Sequence, residues 1–241
     1  CDAILYMVDA VTGEPGGEIE IGSYVANSIA VKDGIAYLAH YGNQAEAYSL
    51  ADKKQLWVFQ DRNFPYFASP AVTDDTVYVA DRGKRLYALN RKDGTEKWAF
   101  KARRSIDSSP VISGELLYVG SDDGRLYGIA LEDGGEVWSY EIGEAITAAP
   151  AIASEHLVVG ALDGFVYAFK AAILEREKAN PNAKLNEVIL GMITSAARCI
   201  RYTVGPDKED KDDSQDLWSN LEYLDLGTND EFSVSDKSDV D

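Results

Sequence analysis

The chain has 241 residues, 46% of them hydrophobic and 27% charged, enough to bury a sizeable core and with no apolar run near the roughly 18 residues of a membrane span. With 23 Lys and Arg against 41 Asp and Glu the net charge is -18, a field that repels nucleic acid and removes it from the candidate partners. Two cysteines, Cys1 and Cys199, exclude a disulfide framework and a cysteine-based zinc site.

Taken in chain order, the first residues CDAILYMVDAVTGE line up with DDGRLYGIALEDGG further on, which puts Cys1 at the place of Asp122, inside a repeating unit. The sequence therefore reads as a piece of a longer chain that carries further repeats; a lipid-bearing N-terminal Cys1 is the alternative. From there a period of forty runs to about residue 170. Trp57, Trp98 and Trp138 are spaced by 41 and 40, and Tyr37, Tyr78 and Tyr118 keep the same step, continued by Val158. Ser69-Pro70, Ser109-Pro110 and Ala149-Pro150 form a third column, with Ser28-Ile29 as a degraded earlier copy. Tyr6, Tyr87, Tyr127 and Tyr167 form a fourth, in which the second copy has Glu46, with Tyr48 two residues on and so on the same strand face.

Within one period, SPVISGELLYVGSDDGRLYGIALEDGGEVWSYEIG (109–143) divides into four short apolar or alternating runs separated by turn residues. Strands are expected at 109–112, 116–120, 125–130 and 136–141, with turns at Ser113-Gly114, Asp122-Asp123-Gly124 and Asp133-Gly134-Gly135. A four-stranded antiparallel sheet cannot bury both faces alone, whereas radial stacking of such sheets buries them against one another. The expected fold is an all-β propeller with four blades and a half-blade in view, forming an open arc.

These residues resemble the pyrroloquinoline-quinone-type repeat propellers, whose motif runs from an apolar strand through a Gly turn to a Trp and reads here ALNRKDGTEKW (88–98) and GIALEDGGEVW (128–138). The resemblance covers residues 1–170. It implies that Trp57, Trp98 and Trp138 pack between neighbouring blades. Lys53 in place of the turn Gly and Gly17 in place of the Trp depart from the motif.

Beyond Lys170 the pattern stops. Ala171 to Ala179 favours helix, Asn180-Pro181 supplies a cap and first-turn proline, and Leu185, Val188, Ile189, Met192, Ile193, Ala196 and Ile200 give a second helix, over 183–200, an apolar stripe. Residues 171–205 are thus expected to be helical. Residues 206–241 carry 13 acids against 3 Lys, a net -10 in 36 residues, and are expected to be a disordered acidic tail. Within it DLWSNLEYLDLG (216–227) has the pattern of a weak helix-in-groove ligand.

No catalytic signature is present: the sequence has no phosphate loop, GxSxG, HExxH or cysteine cluster. His156 reads as a solvent-facing turn residue, and DKEDKDD (207–213) lacks the Gly and ligand spacing of a calcium loop. In the quinone enzymes that share the repeat, adjacent cysteines ring the cofactor and carboxylates hold calcium. This chain has no adjacent cysteines and no long insertion within its repeats, so no cofactor and no metal are expected.

What remains is recognition. In a propeller the loops between blades and the loops joining each blade's second and third strands emerge on one face. That face is expected to carry His40, Tyr41, Asn43, Asp61, Arg62, Asn63, Phe64, Tyr66, Phe67, Arg82, Arg103, Arg104, Asp107, Asp122 and Asp123. QDRNFPYF (60–67) departs most from the repeat and sets three aromatics beside charges, as interface hot spots do. The expectation is a non-enzymatic scaffold that binds a protein or glycan through this face. Resemblance to the outer-membrane assembly lipoproteins of the family implies an extracytoplasmic location in a bacterial envelope, with partner strands or loops laid across the face. The alternative is a quinoprotein-dehydrogenase-like or small-molecule-binding propeller that uses the central channel.

Overall fold

A computed structural model of the chain describes residues 3–153, 156–170, 199–203, 222–225 and 233–234. Among the described residues there is no helix, and the strands form antiparallel sheets. The chain divides into two compact units, Cys1–Ala149 and Pro150–Asp241.

In the first unit, β1 (Ile4–Val8) and β2 (Pro15–Glu20) form a two-stranded sheet. Three four-stranded meanders follow, each a propeller blade. The first is β3 (Ala30–Lys32), β4 (Ile35–Ala39), β5 (Ala45–Ser49) and β6 (Lys54–Phe59). The second is β7 (Ala71–Val72), β8 (Thr76–Ala80), β9 (Arg85–Asn90) and β10 (Glu96–Lys101). The third is β11 (Val111–Ser113), β12 (Leu116–Gly120), β13 (Arg125–Ala130) and β14 (Glu136–Glu141). In this last blade three strands start and end where the sequence places them. The innermost begins two residues late because Pro110 has no N–H to give a ladder and Ser109 is turned to another task.

That task is to join blades. The Ser28 amide donates to Ser69 Oγ at 3.0 Å, the Ser69 amide donates to Ser109 Oγ at 2.8 Å, and Ser108 Oγ donates to the Ala148 carbonyl at 2.8 Å. Ser28, Ser69 and Ser109 thus form a chain of hydrogen bonds between the segments that lead into successive innermost strands, and Ser108 adds a bond of its own.

The Tyr and Trp columns are two halves of one packing unit. Across each blade the register aligns a Tyr, a small residue and a Trp: Tyr37–Ala47–Trp57, Tyr78–Ala88–Trp98 and Tyr118–Gly128–Trp138. The small middle residue lets the two rings approach over it, with centroids 6.0 Å apart for Tyr37 and Trp57 and 5.7 Å for Tyr78 and Trp98. A bulge beside each Trp re-aims it. The indole then reaches the next blade: Trp57 Nε1 donates to the Arg91 carbonyl and Trp98 Nε1 to the Leu131 carbonyl, both at 3.0 Å. Each ring lies on a turn glycine of that blade, Gly94 or Gly134, where a Cβ would come within 2.7 Å or 2.5 Å of the indole. Trp57 is buried and Trp98 and Trp138 are half-buried.

The remaining apolar faces close between sheets. Tyr37, Ala39, Ala45, Ala47 and Trp57 of the first blade cluster with Val77, Val79, Tyr87 and Leu89 of the second. Tyr78, Leu86, Ala88 and Phe100 of the second cluster with Leu117, Val119, Tyr127 and Ile129 of the third. Leu5, Met7 and Ile19 of β1–β2 meet Leu38 and Tyr48.

The second unit holds a six-stranded sheet made of β15 (Ala151–Ala153), β16 (His156–Gly160), β17 (Phe165–Lys170), β18 (Cys199–Thr203), β19 (Glu222–Asp225) and β20 (Ser233–Val234). The first four strands repeat the blade meander. Val158 pairs with Ala168 and Ala168 with Ile200, so Ile200 stands at the register position of the Trp in the other blades. The helix expected over 183–200 lies outside the described residues as far as residue 198. Its last two residues, Cys199 and Ile200, instead open β18, because the alternating β-branched and aromatic run CIRYT fits a strand. The expected helix at 171–179 lies outside the described residues, as does most of the acidic tail, but two pieces of the tail are strands β19 and β20. Cys1 also lies outside. His156 is not a turn residue: it is the first residue of β16, half-buried and paired with Ala153 and Lys170.

Candidate functional site

The turns between each blade's second and third strands are built on carboxylates. In the third blade Asp123 Oδ1 accepts from the Arg125 amide at 2.9 Å, and its Oδ2 accepts from the Tyr127 hydroxyl at 2.7 Å and from the Arg103 amide at 3.1 Å. Asp163 accepts from the Phe165 amide and the Tyr167 hydroxyl in the same way. In the second blade Asp81 Oδ1 accepts from the Arg85 amide at 2.9 Å, and the Tyr87 hydroxyl lies 3.2 Å from Asp81 Oδ2 and 3.0 Å from Asp61 Oδ2. Burial pushes the Asp81 carboxyl above the usual carboxylate range, against the pull of the Arg85 amide and the Tyr87 hydroxyl. These acids are structural, and they hold the loop face in place.

The first blade departs from this pattern. The turn supplies His40 where the second blade has Asp81, and the strand supplies Glu46 where it has Tyr87. His40 is 0% and Glu46 2% exposed. His40 Nδ1 accepts from the Gly42 amide at 3.0 Å, and Nε2 stands 3.5 Å from Glu46 Oε2. Glu46 also takes the Tyr48 hydroxyl at 2.8 Å and Gln55 Nε2 at 3.1 Å. Burial alone would push the Glu46 carboxyl up, but the nearby His40 imidazole and hydrogen bonds from Tyr48 and the Gly22 backbone outweigh it and hold Glu46 below its ordinary range. Glu46 escaped the sequence reading, although its intrusion into the Tyr column was the visible signal.

Above this pair runs a continuous row of side chains drawn from successive loops. Tyr24, between β2 and β3, stacks on Tyr41 of the β4–β5 turn with centroids 4.3 Å apart. Tyr41 meets Phe67 of the β6–β7 connection at 4.7 Å. The guanidinium of Arg82, in the β8–β9 turn, lies 4.4 Å from the Phe67 ring centre, and its Nε is 3.0 Å from Asp107 Oδ1 in the β10–β11 connection. Burial raises the Asp107 carboxyl, Arg82 opposes this, and the charge of Asp122 adds to it. The row thus passes from aromatic to cationic to acidic.

Beside its acidic end is a cleft of about 460 Å³ lined by Arg103, Arg104, Asp122, Asp123, Gly143, Glu144 and Ala145. Of the other expected residues, Asp61 is exposed and within 3.4 Å of Arg62 and 3.7 Å of Arg85. Asn63 is exposed, and Phe64 is 40% exposed with its ring on Gly83. Asn43 is half-buried in a left-handed conformation, φ 64°. His40 and Tyr66 do not reach the surface; both are buried, and the Tyr66 amide donates to the His40 carbonyl. Tyr24 and Glu144 belong to the site and were missed in the sequence because neither sits in a repeated column. Among the described residues no group of three or more His, Cys, Asp or Glu is placed to hold a metal ion.

Comparison with known proteins places these features in a family. The family model described as outer membrane protein assembly factor BamB matches residues 2–104 and 87–177. Among solved structures, BamB from Moraxella catarrhalis superposes with a TM-score of 0.61 at 16% identity over 70% of this chain and 52% of its own. The computationally designed Ika8 protein gives 0.63 at 15% identity, over 69% of this chain and 52% of that one. The quinohemoprotein alcohol dehydrogenase ADHIIG from Pseudomonas putida HK5 gives 0.61 at 16%, over 71% of this chain and 39% of the enzyme. The chain therefore spans about half the length of the BamB structure or less than half that of the enzyme, and at these identities the likeness concerns the fold. No curated protein matches the chain.

Proposed function

Because the chain belongs to the family of the outer membrane protein assembly factor BamB, we propose that it is a non-enzymatic scaffold in the bacterial periplasm or envelope, docking a protein partner on its loop face. The observation that carries this reading is the row Tyr24, Tyr41, Phe67, Arg82 and Asp107. It is a run of an exposed tyrosine, two half-buried aromatics and an exposed arginine, the residue types on which interface energy concentrates. Rigid blades preorganise it, so little ordering entropy opposes docking. The dehydrogenase neighbour, which shares the fold, supplies the second reading, a quinoprotein-dehydrogenase-like or small-molecule-binding propeller. The test is purification of the native partner on the wild-type chain, followed by Tyr41→Ala, Phe67→Ala and Arg82→Glu. These should each weaken binding by about tenfold or more, while Lys92→Glu and Glu132→Lys, on the turns at the opposite end of the blades, should not. Equal binding by all five would refute the reading.

A further inference from the structure

The first blade's departure from the repeat places a buried base under the surface row. In the second and third blades the corresponding turns are closed by Asp81 and Asp123, whose carboxyl oxygens accept from backbone amides. The β4–β5 turn is closed by an imidazole. His40 holds it through three bonds: its amide donates to the Gln44 carbonyl at 3.1 Å, its carbonyl accepts from the Asn43 amide at 3.2 Å, and Nδ1 accepts from the Gly42 amide at 3.0 Å. The last of these requires an unprotonated Nδ1, which leaves the imidazole proton on Nε2, facing Glu46. The fit is close, since a Cβ on Gly42 would stand 2.8 Å from the ring and 3.0 Å from Ser23. The groups facing His40 are Glu46 and, behind it, Tyr48 on β5; Gly22 and Ser23 on the preceding loop; and the Tyr66 amide on the following connection.

We propose that His40 is a proton-operated latch for the loop face: neutral, it holds the turn that seats Tyr41 between Tyr24 and Phe67; protonated, it releases that turn. This rests on the docking reading above for its purpose, though not for its chemistry. Protonation puts an N–H on Nδ1, opposite the Gly42 N–H, so two donors face each other and that bond is lost. At the same time it turns the loose 3.5 Å approach of Nε2 to Glu46 into a charge-assisted bond that draws the ring towards β5. The Gly42 amide is then free, and Tyr41, next to it in the turn, loses its fixed place in the row. Acidification would therefore dismantle the aromatic half of the face and leave Arg82 and Asp107 in place.

The test needs no partner, so its failure is distinguishable from failure of the docking reading. On the full chain, NMR follows the His40 ring nitrogens, the Gly42 amide protection factor and the Tyr41 ring shifts from about pH 8 to about pH 5. The latch predicts that Gly42 protection falls by about tenfold or more, and that the Tyr41 shifts move, at the same midpoint as His40 protonation. His40→Gln should leave Gly42 protection independent of pH. Constant Gly42 protection while His40 titrates, or a His40 that stays neutral to about pH 5, overturns the proposal; the wild-type titration decides this even if a variant fails to fold.

Discussion

Trp98 lies across Ala88 from Tyr78, ring centroids 5.7 Å apart, and hands its indole N–H to the Leu131 carbonyl of the next blade. One residue thereby ties the packing within a blade to the contact between blades. Trp98→Ala should cost about 3–5 kcal/mol, and Trp98→Phe, which keeps much of the ring but loses the hydrogen bond, should cost less. Ala88→Leu should also destabilise, by about 1–3 kcal/mol, since it fills the space that lets the rings meet. Urea denaturation with tryptophan fluorescence checks the order.

Two turn glycines separate the cost of a left-handed backbone from the cost of crowding. Gly114 has φ 56° with nothing within 4 Å of an added Cβ, whereas at Gly134 (φ 74°) the Cβ would press on Trp98 at 2.5 Å. Gly114→Ala should cost about 1–2 kcal/mol, and Gly134→Ala distinctly more, because the inter-blade indole must also move. Equal losses in thermal melts would count against the role given to Trp98.

Tyr87 has one hydroxyl proton and two carboxylates within reach, Asp61 and Asp81. Asp81→Asn resolves the competition, since its amide can donate to Tyr87 while Tyr87 donates to Asp61. Asp81 has its folded pKa raised, so the folded state binds its proton more tightly than the unfolded chain and stability falls as pH rises through the folded value. Asp81→Asn should therefore be equal to or more stable than the wild type at neutral pH, by up to about 1 kcal/mol, with the difference shrinking on acidification. Melts at a series of pH values measure it.

Arg82 and Asp107 form a part-exposed ion pair, and such pairs contribute little to stability. Arg82→Met should cost less than about 1 kcal/mol. It should also raise the Asp107 pKa further, since the opposing charge is gone while burial and Asp122 remain. Carboxylate NMR reads the shift.

The blades were legible in the sequence because their columns answer to separate physical demands: Tyr and Trp to ring packing over a small residue, Ser to the inter-blade hydrogen bond, Asp to the turn. The fourth blade was legible only to Lys170. Its last strand, at Cys199–Thr203, comes after an insertion that breaks the period, and Ile200 stands where a Trp would mark the register. At the candidate site the loop positions of Tyr41, Phe67, Arg82 and Asp107 could be placed by topology. Which of them touch, and that His40 and Tyr66 are buried, depends on side-chain direction within irregular loops, which no period encodes.

Docking of a partner on the loop face is open to site-specific photocrosslinking. A photoreactive residue at Phe64 or Asn63, exposed beside the row, should give a discrete adduct in envelope preparations, and the adduct should disappear with Arg82→Glu. The same probe at Glu132, on the opposite end of the third blade, should give none. Adducts from Glu132 but not from Phe64 or Asn63 would put docking at the opposite end of the blades and not on the loop face.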